Sequence, residues 1–229
     1  MTKKDQITVV KYLKSLDIRS MEFFEEMYDH ILSSFQSRKD LNQNIDVHLR
    51  DVVQPGFGGA KGIQRVMKSQ QKLRQKAIFK RAKDLFLSYL ISWPTVLITM
   101  VIALVIFQLN ALFRPKDVLL IIMTTSALIP ASIALGGQIK FYFDCKRQNK
   151  PYSSSDLNKR LLLIAAIGTN LMNVLLNVVA KFIWGSQKGG LEAFSSYSWL
   201  QITLSVLFVL YALVVIQLLK EKFITKLAI

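Results

Sequence analysis

The chain has 229 residues, 52% of them hydrophobic, and its 30 Lys and Arg against 15 Asp and Glu give a formal net charge of +15. So many charges in so apolar a chain exclude an ordinary soluble domain unless the two populations are segregated along the sequence. They are: the first 86 residues hold most of the charge, and four long apolar stretches fill much of the rest. Cys145 is the only cysteine, which excludes an intramolecular disulfide. It reads as an inert thiol in a loop between two spans. The first 86 residues contain no apolar core followed by small residues, so a cleaved signal peptide is not expected.

Taken in chain order, residues 4–16 place Ile7, Val10, Leu13 and Leu16 near one face of a helix. After a break at Asp17–Ser20, Ser20 suits an N-cap and Glu22 a first helical turn. Phe24, Met27, Tyr28, Ile31, Leu32 and Phe35 then recur at the three-and-four spacing of an amphipathic helix. A polar stretch containing the Asp40–Asn44 linker leads to a short helical piece carrying Ile45, Leu49, Val52 and Val53. The segment Gln54-Pro55-Gly56-Phe57-Gly58-Gly59 breaks the chain. Its glycines satisfy neither nucleotide-binding spacing and follow no strand pattern, so they predict a turn with positive φ and close helix approach, not a phosphate loop.

Glu26-Met27-Tyr28-Asp29-His30-Ile31, followed about 25 residues later by Gly56-Phe57-Gly58-Gly59, resembles the small helical HAAS-type module that precedes membrane spans in many bacterial proteins. The resemblance covers roughly residues 3–75. It implies a cytoplasmic three- or four-helix signalling or docking domain, in some contexts encoded beside PadR-type transcription regulators. The residues themselves place Glu22, Glu25, Glu26 and Asp29 on an acidic helix face, expected to be exposed and to meet a protein partner. Glu26 and His30 share a face at four-residue spacing, but a structural metal site demands about four ligands, and the other histidine, His48, lies on a different segment. No metal or other cofactor is expected.

From Lys61 to Lys83 runs a basic helix with nine positive charges and none negative: Lys61, Arg65, Lys68, Lys72, Arg74, Lys76, Lys80, Arg81 and Lys83. Basic side chains near an anionic leaflet contribute about 1 kcal/mol each. With no helix-turn-helix signature and a membrane span close by, these charges predict anionic lipid contact and topology control, not nucleic-acid binding.

Four uncharged apolar stretches follow, at about 87–113, 118–137, 161–180 and 199–219, each long enough to cross roughly 30 Å of hydrocarbon as a helix. Basic residues are rich before the first span, in the loop after the second and in the tail (Lys220, Lys222, Lys226), and sparse in the other two loops (Arg114 and Lys116; Lys181 and Lys188). Because Lys and Arg are retained on the cytoplasmic side, both termini are expected in the cytoplasm of a plasma (inner) membrane protein. Pro94 falls in the first turns of span one, where proline is tolerated. Pro130 is a candidate kink in span two, and that span's small residues leave a compact bundle and a homo-oligomer equally open. In span three Asn170, Asn173 and Asn177, with Lys181 at the end, form a polar stripe. Such a stripe either hydrogen-bonds between helices, at roughly 0.6–2 kcal/mol per contact, or lines a path for a polar solute. Ser153–Ser155 with Asp156 reads as the cap of this span.

The expectation is an all-α integral membrane protein with a cytosolic helical module (1–58), a basic juxtamembrane helix (59–86) and a four-span domain (87–229). Neither histidine neighbours a nucleophile, which points away from an enzyme. A membrane-anchored regulatory or docking protein is the first reading; its partner would be a transcription regulator or another membrane protein. A small transporter or channel subunit is the alternative.

Overall fold

The computed structural model describes residues 2–38, 44–185 and 189–221. Lys188, Lys222, Lys226 and most of the Asp40–Asn44 linker lie outside them. The chain is all-α: the described residues contain no strand, only an isolated bridge between Ser20 and Ser154. Among the described residues, four helices are long and apolar enough to cross a membrane. Chain contacts divide the protein into two compact units. One comprises the described part of Met1–Lys76 with Gly137–Lys159, and the other comprises Ala77–Gly136 with the described part of Arg160–Phe223.

In the first unit, α1 (Lys3–Ser15) opens with a capping box: the Thr2 hydroxyl accepts from Asp5 N–H and the Asp5 carboxylate accepts from Thr2 N–H. Asp17, at φ 54°, turns the chain into α2 (Met21–Gln36). Phe23, Phe24, Met27, Ile31 and Phe35 of α2 are buried, each contributing about 1.5–3 kcal/mol of hydrophobic stabilisation. α3 (Ile45–His48), a wide π-turn at Leu49–Val53 and the short α4 (Gln54–Gly56) add Ile45, Leu49 and Val53 to the same core. Gly58 and Gly59 then take φ of 72° and 79°, a region open to glycine at little cost. A Cβ on Gly62 would lie 1.5 Å from the Phe57 carbonyl oxygen, so the turn also needs glycine for close approach.

α5 (Gly59–Ile91) follows without interruption. It ends before Ser92–Pro94, and the first apolar helix, α6, starts only at Thr95 and runs to Leu112. Span one is therefore shorter than its apolar stretch. Proline cannot donate a helical N–H and disfavours helix at the residue before it. Pro94 breaks the chain instead of riding inside a first turn. Hydroxyls take up carbonyls freed at the break: Thr99 donates to Tyr89 at 2.6 Å, and Thr95 lies against the carbonyls of Ser88 and Ser92.

α7 (Pro115–Arg147) continues through Pro130 and beyond its apolar portion. The segment expected as a loop around Cys145 is helical, and Cys145 is buried with Tyr152 in the core of the first unit. Tyr152 packs edge-on against Phe24, ring centroids 5.8 Å apart, and stacks on Phe141.

The second unit contains α6, the start of α7, α8 (Asp156–Val174) beyond its first turn, a π-turn at Leu175–Val179, α9 (Ala180–Trp184), α10 (Gly190–Ser195) and α11 (Ser198–Lys220). α6 and α11 are joined by an amide pair: Gln201 Nε2 donates to Asn110 Oδ1 at 2.8 Å, and Asn110 returns the bond to Gln201 Oε1. α8 and α11 meet at Tyr211, whose hydroxyl accepts from Gly168 N–H at 3.0 Å and lies within hydrogen-bond reach of the Ile164 and Ala165 carbonyls. A Cβ on Gly168 would sit 2.5 Å from the Tyr211 ring, so glycine admits this contact.

Candidate functional site

The acidic residues of α2 do not form one open face. Glu22 turns inward, and its carboxylate accepts from Asp156 N–H at 2.9 Å, Leu157 N–H at 3.1 Å and the Ser155 hydroxyl. The Ser155 hydroxyl in turn accepts from Asn158 N–H at 3.1 Å, as its N-cap position predicts. The first three N–H groups of α8 are thus satisfied by Ser155 together with a carboxylate borrowed from α2, which also suits the positive end of the helix dipole. Burial opposes ionisation of Glu22, but hydrogen bonds from Ser155 and the backbone outweigh it and hold the carboxyl below its usual range. Met21 N–H donates to the Ser154 carbonyl at 2.8 Å, and Ser154 N–H to that of Arg19 at 3.1 Å, closing the joint with backbone bonds.

Glu26 also faces inward, 3.3 Å from Arg74, with only 18% and 10% of the two side chains exposed. The expectation of an acidic face open along its length is corrected for Glu22 and Glu26. Glu25 and Asp29 are exposed. Glu25 accepts from the Tyr152 hydroxyl at 2.7 Å, and burial together with this bond pushes the phenol well above its ordinary range. Glu25 and Asp29 border a groove of about 350 Å³ whose other walls include Val10, Tyr28, Lys150 and Pro151.

His30 packs edge-on against Phe57 with centroids 5.6 Å apart, so the two motifs of the HAAS resemblance touch. The expectation that neither histidine neighbours a nucleophile is corrected for His48: its Nε2 lies 3.0 Å from the Ser34 hydroxyl, because α2 and α3 pack together, and the ring is buried edge-on to Phe35. Burial, then the nearby Arg38 charge, lower its pKa. Among the described residues no group of three or more His, Cys, Asp or Glu is placed to hold a metal ion.

The nine basic residues of α5 fall into two sets. Lys61, Arg65, Lys68, Lys72, Lys76, Lys80 and Lys83 are all exposed. Their spacing confines them to an arc of about 120° along some 33 Å of helix, at 100° and 1.5 Å per residue. Arg74 and Arg81 lie on the opposite side and are engaged within their own units, Arg74 with Glu26 and Arg81 with Glu221 at 2.7 and 3.0 Å. The lipid-facing assignment is corrected for Arg74, which is buried. Wheel spacing alone separates these two arginines from the seven; counting charges along the segment had merged them.

Asn170, Asn173, Asn177 and Lys181 are all exposed. Asn177 Nδ2 donates to Asn173 Oδ1 at 2.5 Å within the same helix, and no described hydrogen bond joins the stripe to another helix of the chain. The internal amide contact is made instead by Asn110 and Gln201, which sequence reading missed. Gln201 falls in the first turn of span four, where an amide set at the start of an apolar run is the signal the sequence offers; in the structure it is fully buried.

No protein-family model, curated protein or solved structure matches the chain. What is established is an all-α, multi-pass membrane architecture with four spanning-length helices.

Proposed function

We propose that this is a membrane-anchored docking protein of the plasma (inner) membrane, with both termini cytoplasmic, whose helical module binds a protein partner. The observation that carries the reading is the division of labour along α2. Glu22 and Glu26 turn inward to hold their own chain, while Glu25, which also takes the Tyr152 hydroxyl, and Asp29 are exposed at a groove walled by Val10, Tyr28 and Pro151. Apolar walls with a carboxylate rim and Lys150 at one edge suit a peptide or helix with apolar anchors and mixed charge. The contact between His30 and Phe57 fits the HAAS-type reading, under which the partner would be a transcription regulator or another membrane protein. The seven-residue basic stripe supports anionic lipid as the surface against which α5 rests, at about 1 kcal/mol per side chain.

The test is a crosslinking pull-down from native membranes with the full chain and a Glu25→Lys/Asp29→Lys variant. Loss of specific partners from the variant, with its level in the membrane unchanged, supports the reading. An identical captured set from both proteins removes this groove from the function.

A further inference from the structure

We propose that the asparagine face of span three is where two copies of this chain pair within the membrane. α6 and α8 both leave most of their apolar windows uncovered by the chain, which buries 6% of the window in α6 and 17% of the 18-residue window within Asp156–Trp184. Their exposed surfaces differ in kind. α6 presents Val101, Leu104 and Phe107, which hydrocarbon solvates well. α8 and its continuation present Asn170, Asn173 and Asn177, which hydrocarbon does not.

Each primary amide carries two donors and two acceptor lone pairs. The Asn177–Asn173 bond uses one of each, and Asn170 makes none of the described hydrogen bonds. The occupant of this face must therefore offer donors and acceptors together, repeated at helical pitch. An identical stripe does so by symmetry, since asparagine complements itself.

The pattern around the amides points the same way. Leu163, Ile167, Asn170 and Val174 follow at intervals of four, three and four, the spacing of a coiled-coil seam, and all four are exposed. The stripe continues through Asn173 and Asn177 across the wide turn at Leu175–Val179. Two copies inserted by the same signals share one orientation, so their two-fold axis runs along the membrane normal and their third spans lie parallel. Asn170, on the seam, then meets its own counterpart at the axis, while Asn173 flanks the seam and reaches across it to the partner helix. Lys181 lies eleven residues beyond Asn170, about 16 Å along the helix. A crossing of roughly 20–40° splays the two Lys181 apart there, and each extends its ammonium to the headgroups.

The experiment uses the full chain with Cys145→Ser, in membranes at low protein density. Ile167→Cys places a thiol on the seam, and Leu104→Cys places one on the exposed apolar face of α6. Oxidation is expected to give a disulfide-linked dimer from the first and none from the second. Adding Asn170→Leu or Asn173→Leu should weaken pairing by about three- to twentyfold each, the equivalent of one intramembrane hydrogen bond. Asn170→Gln should restore part of it, which separates lost pairing from lost folding. Four outcomes overturn the proposal: equal crosslinking at both positions, no dimer at either, crosslinks from Ile167→Cys only to a different protein, or pairing untouched by the leucine variants. Reaction of an Asn173→Cys thiol with a membrane-impermeant maleimide in place of dimer formation also overturns it, assigning the stripe to a water-filled path.

Discussion

The joint between α2 and the start of α8 and the joint between α6 and α11 solve the same problem with different chemistry. In the first, an ionised carboxylate gathers two backbone N–H groups and a hydroxyl. In the second, two neutral amides exchange hydrogen bonds, and Gln201 adds a longer one to the Pro115 carbonyl at 3.3 Å. A charge is affordable where opening the joint returns it to water. Within a spanning helix an unpaired charge costs several kcal/mol, so neutral groups that satisfy each other are used. The solvent of the broken state, more than the bond itself, selects the residue type.

The largest effect expected from this comparison is at Glu22. Glu22→Ala leaves the Asp156 and Leu157 N–H groups and the Ser155 hydroxyl without their acceptor, at about 1–3 kcal/mol for each group that stays dry. A loss of about 3 kcal/mol is expected, read as a lowered midpoint in thermal unfolding and as earlier proteolysis around residues 150–156. A midpoint unchanged within error would mean that water replaces the carboxylate and that the cap carries no energy. Gln201→Leu should cost less, about 1–2 kcal/mol: it strands Asn110, but in a membrane the stranded amide finds partial substitutes. The double variant Asn110→Leu/Gln201→Leu should recover part of that loss, because removing both partners leaves nothing unsatisfied.

These two joints also show what a single sequence discloses. The spanning helices were legible because hydrocarbon thickness imposes length and composition locally, and the Ser155 cap and the Gly58–Gly59 turn were legible from adjacent residues. Glu22 was placed correctly in the first turn of α2. Its partners, however, lie more than 130 residues away, and helical periodicity shows which face a residue occupies, not what arrives against that face. Residues around Cys145 read as a loop because their charges end the apolar run, although a helix continues past its membrane-length portion when a soluble core covers it. Pro94 was read by position within an apolar stretch, whereas its missing N–H governs the backbone.

Charge on α5 tests the same principle at a water-exposed surface. Replacing Lys68, Lys72 and Lys76 by Gln should weaken attachment to vesicles containing anionic lipid by about 1 kcal/mol per residue, measured by flotation of a soluble fragment or by salt-dependent protease access in the full chain. Arg74→Gln should change vesicle attachment little and stability more, because Arg74 is buried against Glu26. Equal effects on attachment would erase the division between the exposed stripe and the inward arginine.

The smallest and most selective effect is that of pH. Glu22 has a lowered pKa in the folded protein, so the folded state binds this proton less readily than the unfolded chain does. Its contribution is present in full above the unfolded value of about 4.5 and falls away as pH drops through the lower folded value. Stability at the α2–α8 joint should therefore decline on acidification below roughly pH 4.5, by an amount limited by the burial that opposes ionisation. Glu22→Gln keeps the size and one acceptor oxygen but has no proton to bind in this range. It should be less stable than the parent at neutral pH, and the gap should narrow as the medium is made acidic. The Asn110–Gln201 joint, having no titratable group, should give Gln201→Leu the same deficit at pH 4 and pH 7. A deficit for Glu22→Gln that is equally flat would show that shape alone closes the first joint, and the distinction between charged and neutral joints would not hold.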